Sequence, residues 1–114
     1  MIREFIMTPE FDKNWMKMGL DDDDLRMLQE VILLYPDTGQ VIEGTGGLRK
    51  IRFSLDKGKS RGARLLYVDL VACHQIYLIT AYPKSFKKDL THDEKKHIKK
   101  MISVLKASVR ERRM

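Results

Sequence analysis

The chain has 114 residues, 43% hydrophobic and 33% charged, with a formal net charge of +6. That length suits one fold of ordinary size rather than two, and no run approaches the roughly 18 consecutive apolar residues of a membrane span. Cys73 is the sole cysteine, which excludes an internal disulfide; with no long apolar run near Met1 to mark a secretion signal, a soluble cytoplasmic protein is expected.

The charge is unevenly spread. Residues 1–43 hold four basic and ten acidic side chains, whereas residues 44–114 hold eighteen basic and six acidic ones. Positive charge gathered on one side of a small fold attracts polyanions, and phosphate backbones are the commonest of these. A merely basic protein with no nucleic-acid partner has the same composition.

Ile2 to Met7 reads as a short strand. Thr8 and Pro9 then supply an N-cap and a first helical position, and Phe11, Trp15 and Met18 follow on one helical face. Gly19 ends this helix. Asp21 to Asp24 open a second, with Leu25, Leu28 and Ile32 on one stripe and Met27, Val31 and Leu34 beside it, and Pro36 stops it. The pair predicts a helical hairpin laid across a sheet, with Trp15 and the seven methionines filling the core.

Gln40 to Gly47 reads as a glycine-rich connection, after which the period changes. In residues 48–53, alternation sends Ile51 and Phe53 to one face and Lys50 and Arg52 to the other. Asp56 to Gly62 is a polar turn, Ala63 to Val71 a second strand carrying Arg64, and Cys73-His74 a tight turn. Ile76 to Tyr82 is a third strand, ended by Pro83. Thr91 and Glu94 fit a capping box. The helix behind it carries Ile98, Met101, Ile102, Leu105 and Val109 as an apolar stripe. The last residues, 107–114, read as a mobile basic tail with Arg110, Arg112 and Arg113. The expectation is an α+β fold in the order βααβββα, one domain over residues 1–114.

Three segments resemble the RelE/HigB toxin family, and more narrowly its HigB-type branch. They are Gly44-Thr45-Gly46-Gly47-Leu48-Arg49-Lys50-Ile51-Arg52-Phe53, Gly58-Lys59-Ser60-Arg61-Gly62-Ala63-Arg64-Leu65-Leu66-Tyr67 and Leu78-Ile79-Thr80-Ala81-Tyr82-Pro83-Lys84. With Asp89-Leu90-Thr91 and the lysine-rich helix after it, the likeness covers most of residues 40–106. It implies a type II toxin that cleaves mRNA in the ribosomal A site and is held inactive by a cognate antitoxin, a small helix-turn-helix protein. The implied fold is a twisted antiparallel sheet with an N-terminal helical hairpin and a C-terminal helix. The implied catalytic set is Lys50, Arg52, Arg64, Tyr82 and Lys84, with Arg49, Lys59, Arg61, Lys87 and Lys88 as further RNA contacts. Arg61 stands where this branch usually has glycine, and Ser85 where asparagine commonly follows the lysine.

The chemistry can be argued without a metal or other cofactor. RNA carries its own nucleophile, the 2′-OH, so a ribonuclease has to align it, move protons and offset charge on the phosphoryl oxygens. Arg64 can grip two phosphate oxygens at once. Lys50 serves as a base only where like charge or burial lowers its proton affinity, and Tyr82 suits holding the 2′-OH or stacking on a base.

Other readings stay open from the residues alone. Bases on a strand are commonly a solvated sheet face, Arg64 can pair with Asp69 or an acidic helix, and a strand-end tyrosine is commonly packing. Asp21 to Asp24 are capping residues rather than a metal cluster. His92 and His97 are five apart, the wrong spacing to share a zinc ion on a helix. Two rival functions share the fold class: a ParE-like gyrase inhibitor, and a nucleic-acid-binding module without catalysis.

Overall fold

The computed structural model describes residues 3–54, 62–86 and 89–113, the last five of these as backbone only. The expected polar turn over Asp56 to Gly62 therefore falls outside the described residues, apart from Gly62. The elements are β1 (Glu4–Met7), α1 (Pro9–Lys17), α2 (Asp22–Leu34), β2 (Gln40–Val41), β3 (Arg49–Phe53), β4 (Ala63–Leu70), β5 (Gln75–Pro83) and α3 (His92–Arg113). A single 3-10 turn at Val71–Cys73 joins β4 to β5.

The five strands form one sheet in the order β1-β5-β4-β3-β2. β2, β3, β4 and β5 pair antiparallel, while β1 lies parallel to β5, with Phe5 opposite Ile76. Two expectations are corrected here. The glycine-rich connection contains the two-residue strand β2, so the order is βααββββα, and the sheet is mixed rather than wholly antiparallel. The fold remains α+β.

Each face of the sheet buries its own cluster. On one, Phe11 and Trp15 of α1 and Leu28 and Ile32 of α2 pack on Leu65, Tyr67, Ile76 and Leu78, with Ile51 and Phe53 alongside. Phe11 and Trp15 stack with centroids 5.3 Å apart, and Trp15 also meets Phe53 at 5.9 Å. Fully burying a side chain such as Phe11 contributes roughly 1.5–3 kcal/mol. On the other face, Ile98 and Ile102 of α3 cover Leu48, Leu66, Val68 and Ile79. The hairpin and the C-terminal helix thus lie on opposite faces of the sheet.

Local chemistry explains the helix starts. Thr8 caps α1, its Oγ1 accepting from the Phe11 N–H at 3.1 Å. Asp21 and Asp24 form a reciprocal capping box at α2, so these aspartates are committed to the helix end as their order suggested. Thr91 and Glu94 do the same for α3. Packing departs from expectation in two places. Met16 and Met27 are 76% and 66% exposed, so they do not fill the core. The helix α3 runs on to Arg113, in keeping with the helix propensity of Lys and Arg.

Candidate active site

The register of β3, β4 and β5 assembles a row of polar side chains. Arg52 lies directly opposite Arg64, and Arg64 directly opposite Tyr82. Neighbouring strands are about 4.8 Å apart, so three chemically active side chains line up across the sheet on the face that carries α3. One turn of the pleat away, Lys50 faces Leu66, which faces Thr80.

Tyr82 reaches this row through an irregularity. Leu66 pairs with Thr80 but Tyr67 pairs with Leu78, so Ile79 is an extra residue in β5. Leu78 packs on the hairpin face and Tyr82 on the α3 face. In an unbroken strand, residues four apart would share a face; one inserted residue reverses every side chain beyond it. The bulge is held by Thr8, whose hydroxyl donates to the Ile79 carbonyl at 2.6 Å while its backbone N–H donates to the Leu78 carbonyl at 3.2 Å.

Arg64 is only 8% exposed. Its one hydrogen bond among the described residues runs from Nη1 to the Ala63 carbonyl at 3.2 Å. The acid suspected of neutralising it is engaged elsewhere: Asp69 pairs with Arg3 at 3.2 Å on the far part of β4. Two like charges directly opposite each other destabilise a strand pair, and the Arg52–Arg64 pair carries no described carboxylate to relieve it.

Lys50 behaves differently. Its ammonium lies 3.4 Å from the Asp89 carboxylate, and its side chain is 13% exposed. A base role needed like charge around it. Arg49 lies on the opposite face of the strand, and although Arg52 shares the face two residues away, the group in ion-pair contact is an acid. The geometry therefore supports Lys50 as a positive charge on a phosphate rather than as a proton acceptor. Asp89 is a site residue that sequence reasoning did not single out, although it stands in the Asp89-Leu90-Thr91 segment. Burial raises the Tyr82 phenol above the ordinary tyrosine value, with Arg64 pulling it down and Asp89 and Glu94 pushing it up. Tyr82 therefore acts as a protonated hydroxyl at neutral pH.

The remaining expected residues divide. Lys84 is exposed at the end of β5, where its backbone N–H donates to the Gly62 carbonyl at 2.8 Å, at the rim of the row. Arg49 does not join the cluster: its guanidinium donates to the Gly39 and Asp37 carbonyls at 2.7 and 3.2 Å. It braces the loop after α2. Lys59, Arg61, Lys87 and Lys88 lie outside the described residues. His74 and Cys73 sit at the opposite end of the β4–β5 hairpin.

No protein-family model matches the chain. Among solved structures, an arginine-substituted mutant of the E. coli toxin RelE in the free state superposes with a TM-score of 0.57 at 18% identity. The match covers 77% of this chain and 90% of that one. The intact E. coli RelBE toxin–antitoxin complex matches with a TM-score of 0.54 at 19% identity, covering 71% and 95%. This chain has the RelE fold. At that identity the likeness is one of architecture, and the site has to be argued from its own residues. Within the row Arg52 is exposed, whereas Arg64 and Tyr82 are 8% and 5% exposed, Tyr82 packing with Ile98 and Ile102 of α3. No helix among the described residues is long and apolar enough to cross a membrane.

Proposed function

We propose that this protein is a type II toxin of the RelE/HigB kind, an endoribonuclease that cuts mRNA in the ribosomal A site and is neutralised by a cognate antitoxin. One observation carries the reading: the in-register row Arg52–Arg64–Tyr82, with a buried guanidinium that no described acid of its own chain neutralises. The RelE fold and the HigB-type glycine and basic segments of the sequence support it, and the RelBE complex supports an antitoxin partner for a fold of this kind.

In this mechanism Arg64 and Arg52 clamp the non-bridging oxygens of the scissile phosphate, and Lys50 adds a third charge. Charge then grows on those oxygens as the RNA 2′-OH attacks phosphorus, giving up its proton to water; a 2′,3′-cyclic phosphate forms as the P–O5′ bond breaks, and the departing 5′ oxygen takes a proton from water. Donors placed for that charge are typically worth a few kcal/mol each. Tyr82, held protonated, donates to the 2′ oxygen and orients it for in-line attack. Lys84 at the rim supplies a further contact to the leaving side. The antitoxin would meet this electropositive face with negative charge. The test is induction of the gene without its partner, followed by primer extension on cellular mRNA. Discrete cuts within translated codons are expected. Growth arrest with intact mRNA and inhibited gyrase would replace this reading with the ParE-like one.

A further inference from the structure

Where the arginine row ends, a cleft of about 480 Å³ begins, walled by α1 and α3 and floored by Thr80 and Tyr82 of β5. Its walls carry Glu10 from the first turn of α1 and Asp93 and Glu94 from the first turn of α3, with His97 one turn further along α3. Asn14 stands beside them, its amide donating to the Thr80 hydroxyl at 3.1 Å. At the mouth, on the turn that follows β5, Phe86 is 72% exposed. Phe86 also borders a second depression, lined in part by Lys17 and Ser85, so the ring stands as a partition between two hollows.

The contrast in charge decides what this cleft can take. A phosphate drawn to Arg64 is disfavoured in the cleft by the carboxylates of Glu10 and Asp93 on its walls, Glu94 already accepting from the Thr91 N–H. The uncharged part of a nucleotide is its base, and a base has flat faces suited to an exposed aromatic ring. Ionised carboxylates only accept hydrogen bonds, so they favour a base edge rich in N–H donors. Guanine presents N1–H and the N2 amino group side by side, the edge that best matches a carboxylate.

We infer that the α1–α3 cleft is a nucleobase subsite, in which Phe86 stacks on the base next to the bound phosphate and Glu10 and Asp93 select guanine. Tyr82 belongs to both cleft and row, so base and phosphate of neighbouring nucleotides are read together. The inference rests on the RNA-binding part of the proposed function but not on cleavage itself.

The test is binding of short oligoribonucleotides by fluorescence anisotropy at low salt, with one position varied among the four bases and the 2′-OH before it removed to block cleavage. The full-length protein is expected to prefer guanine. Phe86→Ala should weaken binding by on the order of tenfold or more, as for lost stacking, and Phe86→Trp should restore it. Glu10→Gln with Asp93→Asn should bring the guanine preference toward one while binding of the other bases changes little. Both acids are exposed, and circular dichroism of each variant checks that it folds. Base ratios unchanged in all variants would overturn the inference, even in a protein that cleaves RNA. So would variants that bind RNA like the parent but release the co-expressed antitoxin, which would make the cleft a protein-docking site. Guanine preference in a protein that never cuts RNA would sustain the subsite and defeat the ribonuclease reading instead.

Discussion

Replacing Arg64 with leucine should leave the stability of the protein nearly unchanged while removing most of its activity. The guanidinium is 8% exposed, directly opposite Arg52, with one hydrogen bond to the Ala63 carbonyl. Losing a hydrogen bond of a charged group costs about 1.5–3 kcal/mol. Against this, leucine removes the like-charge opposition across the strands and the burden of a desolvated cation. It also adds apolar burial worth up to about 2 kcal/mol beside Leu66. These opposing terms leave a net change within about 1 kcal/mol of zero, a shift in Tm of no more than about 3–5 °C for a domain of this size. Cleavage should fall by about 10²–10³ as one transition-state donor is lost. Denaturant midpoints and single-turnover cleavage on programmed ribosomes read the two effects separately. A loss of about 3 kcal/mol or more in Arg64→Leu would show that the guanidinium holds the fold together. Such a loss would overturn the assignment of Arg64 to phosphate binding.

Other perturbations follow from the same geometry. Thr8→Ala removes both the α1 cap and the hydroxyl on the bulge carbonyl of Ile79, so stability should drop by about 1–2 kcal/mol. Cleavage should then slow in kcat because Tyr82 loses its placement; an unchanged kcat would detach the bulge from the site. Tyr67→Phe removes a hydroxyl that donates to the Pro36 carbonyl at 2.7 Å and accepts from the Gly39 N–H at 3.0 Å. A loss of about 1–3 kcal/mol in urea unfolding is expected, with cleavage at the parental rate. Burial raises the phenols of Tyr67 and Tyr82 in the folded state. Their contribution is thus complete below the unfolded value of about 10 and is lost as pH rises through the higher folded values. Stability measured across this alkaline range should fall less steeply in Tyr67→Phe than in the parent. Asp89→Asn releases Lys50 from its carboxylate and should tighten RNA binding, read as a steeper dependence of affinity on salt.

Much of this molecule was legible in its sequence because the signals are local. The caps at Thr8, Asp21 and Thr91, the apolar stripes of the three helices and the alternation of Lys50 and Arg52 with Ile51 and Phe53 all act within a few residues. The structure realises the caps, the alternation and the buried stripes through Phe11 and Trp15, Leu28 and Ile32, and Ile98 and Ile102, whereas Met27, Val31 and Leu34 of α2 stay exposed. What escaped depends on distant partners. The strand Gln40–Val41 exists only because β3 offers it an edge, and the parallel docking of β1 on β5 is set by a crossing of some seventy residues. Charge alone placed Arg49 with its basic neighbours, but the pleat turns it to the other face, where backbone carbonyls await it. The bulge at Ile79 left no mark in the residue pattern, yet it brings Tyr82 beside Arg64. Asp89 follows the same rule, since its partner Lys50 is 39 residues away in sequence.

The most direct measurement of the central claim uses programmed ribosomes carrying an mRNA whose A-site codon has a single 2′-deoxynucleotide at the cut position. The parent protein should cleave the all-ribose message at one linkage, leave the deoxy-substituted one whole, and lose the cut when Arg64 is replaced by alanine. Cleavage of the deoxy message at the same linkage, or full activity in Arg64→Ala, would contradict a site in which the arginine row stabilises attack by the RNA's own hydroxyl.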